Sequence, residues 1–180
     1  VTTIYIVRHC KAEGQQPAAN LTELGAEQSE RLAAFLEDKR VDYIVSSPYE
    51  RACATIAPLA GKLGLDIAKD SRLTERVLSG QNHPDWRDML QRTYDDIELC
   101  YEGGESSRTA MSRAVSVVDE LLASRHNHAV IVSHGNLISL LLKHYDNRIG
   151  FKEWEGLSNP DVYRLSFTDG KPDIQRIWPD

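Results

Sequence analysis

Ile4-Tyr5-Ile6-Val7-Arg8-His9-Cys10 is four apolar, β-prone residues running straight into an arginine and a histidine. A short β-rich run bounded by polar residues reads as a buried strand, and in open α/β sheets ligands gather where such strands end. The pattern recurs twice. Tyr43-Ile44-Val45 leads into Ser46-Ser47-Pro48-Tyr49-Glu50-Arg51, and Ala129-Val130-Ile131-Val132 leads into Ser133-His134-Gly135. Three strands thereby deliver Arg8, His9, Arg51 and His134 to one edge of a sheet.

Helical patterns separate these strands. Lys11 to Asn20 is polar, carries Gly14 and Pro17, and reads as a loop over the first strand end. Thr22 then caps a helix from Glu23 to about Glu37 whose buried face carries Leu24, Leu32, Phe35 and Leu36. Ser47, Pro48 and Glu50 spell a capping box for a second helix that presents Ala52, Ile56, Leu59, Ala60 and Leu63 and stops at Gly64. Arg51 falls in its first turn, where a cation faces the positive end of the helix dipole and a bound anion would reverse the penalty. Asp66 to Lys69 reads as a short strand, followed by Arg72-Leu73-Thr74-Glu75-Arg76.

Leu78 to Gly104 is less regular. Within it, Pro84 to about Leu99 spaces Trp86, Met89, Leu90, Thr93, Tyr94 and Ile97 as an amphipathic helix, either a cover over the strand ends or ordinary core packing. A helix begins at Ser106 or Ser107, with Met111, Ala114, Val115, Val118, Leu121 and Leu122 on one face. Another from about Asn136 to Tyr145 is apolar almost all round and therefore central. Val162 to Phe167 and Asp173 to Ile177 flank Thr168-Asp169-Gly170-Lys171, a hairpin signal that makes part of the sheet antiparallel.

Bulk properties narrow the function. With 180 residues, 41% hydrophobic and 27% charged, the expectation is one globular domain over residues 1–180, with a cover insertion at about 78–104. The densest apolar stretch, Ala129 to Leu142, is broken by His134 and Asn136 and falls short of the roughly 20 apolar residues of a membrane helix. No secretory signal is visible, and a net charge of −6 gives no basic footprint for nucleic acid. Cys10, Cys53 and Cys100 are an odd set without C-x-x-C spacing, which favours a reducing compartment and points to the cytoplasm. His126, His128 and His144 lack the cysteine or acidic partners of a metal site and read as solvated residues.

If Arg8, His9, Arg51 and His134 converge, the pocket holds two permanent cations and two imidazoles, and a phosphoryl group is its natural guest. The guanidiniums depress the histidine pKa values, so a neutral imidazole is available as nucleophile, and the same cations stabilise charge on the transferring oxygens. A leaving alkoxide still needs a proton. Glu75, following a predicted strand, is the candidate donor, with Glu98, Glu102 and Glu105 as alternatives. Cys10 raises a thiolate mechanism, but the arginine such a loop needs six residues later is replaced by Gln16.

Together these residues resemble the histidine phosphatase superfamily, the phosphoglycerate mutase-like group. Arg8-His9, Ser46-Ser47-Pro48 with Arg51-Ala52 and Thr55, Leu73-Thr74-Glu75 and Ser133-His134-Gly135 occur in that family's order across nearly the whole chain. The resemblance implies a three-layer α/β/α sandwich with a mostly parallel central sheet and the C-terminal antiparallel hairpin, and no metal cofactor. It implies that His9 becomes a phosphohistidine, that Arg8, Arg51 and His134 hold the phosphoryl oxygens, and that Glu75 acts as acid and then as base for water. Gln15, or Gln16 in the neighbouring register, would supply a side-chain amide, and Gly135 completes the substrate-binding set. Cys10, Lys11 and Ala12 depart from the family's usual glycine, acidic or polar residue and Thr or Ser, so the hydroxyl behind one of the family's phosphate contacts is missing here. The implied activity is metal-independent hydrolysis of small phosphomonoesters. A mutase dependent on a bisphosphorylated primer and a non-enzymatic phospholigand-binding module are the alternatives.

Overall fold

Strand β1 (Thr2–Arg8) organises the computed structural model, which describes residues 1–179. It lies inside a six-stranded sheet of order β3-β2-β4-β1-β5-β6, with β2 spanning Tyr43–Ser46, β3 Ile67–Lys69, β4 His128–Ser133, β5 Asp161–Phe167 and β6 Pro172–Arg176. The β2, β3 and β4 pairings and that of β1 with β4 are parallel; β5 runs antiparallel to β1 and to β6. The hairpin expected at the C-terminus is present. Its first strand also pairs with β1, which the hairpin signal alone does not reveal.

Side chains alternate across a strand, so a strand covered on both faces must be apolar at every position. Ile4 and Ile6 enter one core with Ala114 and Val118 of α4 (Ser107–Leu122) and Leu137 and Leu141 of α5 (Gly135–Tyr145). Tyr5 and Val7 enter the other with Leu32 and Leu36 of α1 (Glu23–Leu36) and Ile56 and Leu59 of α2 (Glu50–Leu63). Each fully buried aliphatic side chain contributes about 1.5 to 3 kcal/mol. Helices on both faces of the sheet make three layers, as expected, and α5 is buried continuously from Gly135 to Leu142. Among the described residues no helix is long and apolar enough to cross a membrane.

Several local expectations change. The buried stripe of α1 is Gly25, Ser29, Leu32, Ala33 and Leu36, whose spacing passes one residue away from Leu24; Leu24 is 49% exposed. Helix α2 starts at Glu50, with Tyr49 as its N-cap and no side-chain capping bond, so the Ser47 capping box does not form. Its Glu50 N–H is satisfied by the Pro17 carbonyl, and the Ser47 hydroxyl is engaged elsewhere. Gly64 closes α2 in the left-handed conformation, as read. Glu75 follows a short 3₁₀ turn, Ser71–Leu73, rather than leaving β3 directly. Helix α3 covers only Trp86–Asp95, because Asp96 turns extended; its inner residues Leu90 and Tyr94 pack into the core while Trp86 stays half exposed. A short helix α6 (Phe151–Glu155) precedes β5.

Candidate active site

The C-terminal ends of β2, β4 and β1 are neighbours in the sheet, so their registers decide what meets. Arg8 stands beside Ser133, the His9 N–H bonds the Ser133 carbonyl, and the Ser47 N–H bonds the Val132 carbonyl. Arg8, His9, Ser47 and His134 are thereby held on one rim, with Arg51 reaching in from the first turn of α2.

His9 is 7% exposed, and its two ring nitrogens have unambiguous partners. Nδ1 lies 2.7 Å from the Cys10 carbonyl, which can only accept; Nε2 lies 3.3 Å from Arg51 Nε, which can only donate. The hydrogen is therefore on Nδ1 and the lone pair on Nε2. Burial holds the imidazole down to about 4; the bond to the Cys10 carbonyl opposes this, and the Arg51 and Arg8 guanidiniums reinforce it. At neutral pH His9 is an uncharged base whose Nε2 lone pair faces the Arg51 guanidinium.

His134 packs edge-on to His9, ring centroids 5.1 Å apart. Its Nε2 is 2.8 Å from Ser47 Oγ, which also accepts the Tyr49 N–H; when the serine hydroxyl donates to the imidazole, Nε2 is the acceptor. In that arrangement Nδ1 carries hydrogen, and Nδ1 is buried with no partner among the described residues. It is the donor a bound oxyanion would take. Burial, His9 and the Arg51, Arg8 and Arg113 cations push this imidazole down to about 2.

The arginines are stored on carbonyls. Arg8 Nη1 donates to the Leu157 and Ser158 carbonyls at 3.0 and 3.5 Å, and its buried Nε is unpartnered among the described residues. Arg51, 1% exposed, donates through Nη1 to the Gln15 and Gln16 carbonyls at 3.1 and 2.9 Å and lies over the Tyr49 ring. Burial lowers both guanidinium pKa values, with Glu75 opposing it in each case.

Glu75 caps α5. Its Oε1 accepts the Arg76 and Leu137 N–H groups, both at 2.8 Å, and its Oε2 accepts that of Asn136 at 3.0 Å. The carboxylate is thus fixed on the helix that begins immediately after His134. Two cations, two neutral imidazoles and one docked carboxylate around a strand edge are the parts of a phosphoryl-transfer site.

The sequence profile of the histidine phosphatase superfamily (branch 1) matches residues 4–178. The chain belongs to that superfamily. A putative phosphoserine phosphatase 2 from Hydrogenobacter thermophilus is 26% identical over 155 residues, 77% of this chain and 76% of the relative. A glucosyl-3-phosphoglycerate phosphatase from Mycolicibacterium vanbaalenii is 30% identical over 142 residues, 68% of this chain and 61% of the relative. Among solved structures, the mycobacterial glucosyl-3-phosphoglycerate phosphatase complexed with VO3 superposes with a TM-score of 0.81 at 26% identity, covering 98% of each chain.

In this histidine phosphatase the sequence-selected residues Arg8, His9, Arg51, Glu75, His134 and Gly135 are brought together. Gln15 joins them differently: its backbone carbonyl holds Arg51, while its side chain is exposed. Glu105, offered as an alternative acid, is tied to Arg113 by two hydrogen bonds; Glu98 pairs with Arg108, and Glu102 is exposed. Cys10 is fully buried, its N–H bonds Thr55 Oγ1 at 2.8 Å, and burial raises its thiol to about 11. A thiolate role is incompatible with that environment. His126 stacks on Tyr43, and among the described residues no three His, Cys, Asp or Glu side chains cluster as metal ligands.

Sequence reasoning missed a second ring of residues. Asn159 Nδ2 holds the His9 carbonyl at 3.0 Å. Asp161, 1% exposed and opposite Arg8 in the β1–β5 register, fixes the turn whose carbonyls hold Arg8 by accepting the Ser158 N–H and Arg176 Nε. Only the antiparallel pairing of β5 with β1 brings that segment to the site. A polar Ser-Asn-Pro-Asp run just before a predicted strand was the available signal.

Proposed function

We propose that this superfamily member is a phosphoric monoester hydrolase that cleaves small phosphomonoesters through a phosphohistidine on His9. The observation that carries the reading is the His9 ring: Nδ1–H is tied to the Cys10 carbonyl, and the Nε2 lone pair meets only Arg51. Nε2 attacks phosphorus as the ester P–O bond breaks. The leaving oxygen takes a proton from Glu75. Water then attacks phosphorus as the P–N bond breaks, gives a proton to Glu75, and inorganic phosphate leaves with the lone pair returned to His9 Nε2. Arg8, through its unpartnered Nε, and the Arg51 guanidinium donate to phosphoryl oxygens while the carbonyls hold them in place, and His134 Nδ1–H provides a further donor.

The phosphatase names of the relatives support hydrolysis, and the substrates in those names place small phosphorylated metabolites first in any screen. Transfer between hydroxyls, the mutase reading, has weaker support. The segment over 78–104, one domain with the rest, lies next in sequence to Glu75 and would select the alcohol part of the substrate. A net charge of −6 and three free cysteines fit a cytoplasmic enzyme that does not engage nucleic acid.

A panel of phosphorylated metabolites assayed in chelator, with His9→Ala as control, tests the proposal. Chelator-resistant phosphate release, abolished by His9→Ala, is the expected result. Full turnover in His9→Ala would remove the phosphohistidine, and a requirement for a bisphosphorylated primer would favour the mutase.

A further inference from the structure

An acid–base carboxyl group must be held at one place, yet Glu75 sits on an irregular segment that begins with one 3₁₀ turn. What fixes that segment is its carbonyls. Arg113, on the second turn of α4, donates through Nη1 to the Arg72 and Thr74 carbonyls at 2.7 and 2.8 Å and through Nη2 to that of Glu75 at 3.3 Å. The Leu73 carbonyl is taken by Ser133 Oγ at 2.7 Å. Four successive carbonyls from residue 72 to residue 75 are therefore held by side chains of α4 and β4.

The Arg113 fork is itself aimed by Glu105. Nε and Nη2 donate to the two Glu105 oxygens at 3.0 and 2.8 Å, a bidentate pair in which each side chain is only 19% exposed. Glu105 Oε2 also accepts the Val77 N–H at 3.0 Å, and the Glu105 carbonyl accepts from Arg76 Nε and Nη2. The clamp thus grips the chain on both sides of Glu75. Burial works against the Glu105 carboxylate, but the Arg113 and Val77 bonds outweigh it and hold its pKa below the usual range.

We propose that Arg113 and Glu105 form a positioning pair for the Glu75 acid–base step, setting where the proton is delivered without touching the substrate. The inference rests on the reading of Glu75 above. Because Glu105 closes the 78–104 segment while Arg113 belongs to α4, the pair also ties the placement of Glu75 to the seating of that segment.

The test is a ratio of two rates measured on one enzyme preparation, which cancels the folded fraction. An alkyl phosphate needs a proton on its leaving oxygen; p-nitrophenyl phosphate does not. Arg113→Lys and Glu105→Gln should each lower kcat/KM, which reports the phosphorylation step alone, about tenfold or more for the alkyl ester while changing it less than about threefold for the aryl ester, whose kcat falls only through the shared water step. Glu75→Gln in parallel should show the same selectivity, more strongly. If Glu75→Gln is selective and the two pair variants are not, the positioning pair is refuted alone. If Glu75→Gln itself hits both esters equally, the role assigned to Glu75 fails first. Equal losses on both esters in the pair variants, or none on either, overturn the inference.

Discussion

Gly135→Ala separates stability from catalysis. Gly135 is the first residue of α5, and nothing in its backbone conformation demands glycine. Space does. A Cβ built there would lie 3.0 Å from Arg8 Nε and 3.1 Å from its Cζ and Nη2, so the guanidinium must retreat by a few tenths of an ångström. It cannot retreat freely, because Nη1 is anchored 3.0 Å from the Leu157 carbonyl. A charge-assisted hydrogen bond contributes roughly 1.5 to 3 kcal/mol, and displacing the fork should forfeit about half of it, roughly 0.8 to 1.5 kcal/mol of transition-state stabilisation. The expected loss in kcat/KM is therefore about fourfold to tenfold. In a helix, alanine is favoured over glycine by up to about 1 kcal/mol, so Tm should hold or rise. Steady-state kinetics on p-nitrophenyl phosphate and a thermal melt read both quantities. An unchanged kcat/KM would show that Arg8 does not touch the transferring group, and a fall in Tm matching the activity loss would reduce Gly135 to a packing residue.

Ser47→Ala removes the partner of His134 Nε2 and leaves a buried ring with neither nitrogen bonded; kcat should fall about tenfold or more, measured at saturating substrate. Cys10→Ser should retain turnover in the same assay, since the thiol is buried and protonated, and complete loss would revive the thiolate mechanism. Acid should destabilise the fold through His9: unfolded, it takes a proton below about 6.5, folded only near 4, so stability falls as pH drops through that window. That fall approaches about 3 kcal/mol, and urea unfolding at pH 7 and pH 4.5 should show a smaller drop in His9→Asn than in the parent chain. Vanadate or phosphate, binding only the folded state, should raise Tm, and an Arg51→Ala variant should lose most of that gain.

The periodicities of the sequence were sufficient for the sheet and the flanking helices because Ile4 to Val7, Ala129 to Val132 and Leu137 to Leu142 are buried with few polar positions among them. Arg8, His9, Ser133 and His134 were legible for the same reason: they break those apolar runs at their C-terminal ends. What stayed hidden depends on who takes which hydrogen bond. Ser47 has the local chemistry of a helix cap, but Tyr49 N–H and His134 compete for its hydroxyl, and the helix starts three residues later. Asn159, Asp161 and Arg113 reach the site only through tertiary pairings, of β5 with β1 and of α4 with the 72–75 segment, for which no local periodicity exists.

The use of carbonyls instead of carboxylates around the two arginines has a functional consequence. A buried cation must be satisfied, and the ordinary solution, an aspartate or glutamate salt bridge, would cancel the charge a phosphoryl dianion is to meet. Leu157, Ser158, Gln15 and Gln16 offer dipoles that stabilise Arg8 and Arg51 without neutralising them. The hydrogen-bonding oxygens of the one acidic side chain that both arginines sense, Glu75, are engaged by α5 N–H groups, so neither guanidinium is tied to it. Burial keeps His9 and His134 uncharged, and the same unneutralised cations reinforce it. Nucleophile and oxyanion holder are thus two results of one arrangement. Moving a carboxylate beside either arginine would weaken substrate binding and at the same time raise the His9 pKa, removing the cations' share of what keeps its lone pair available.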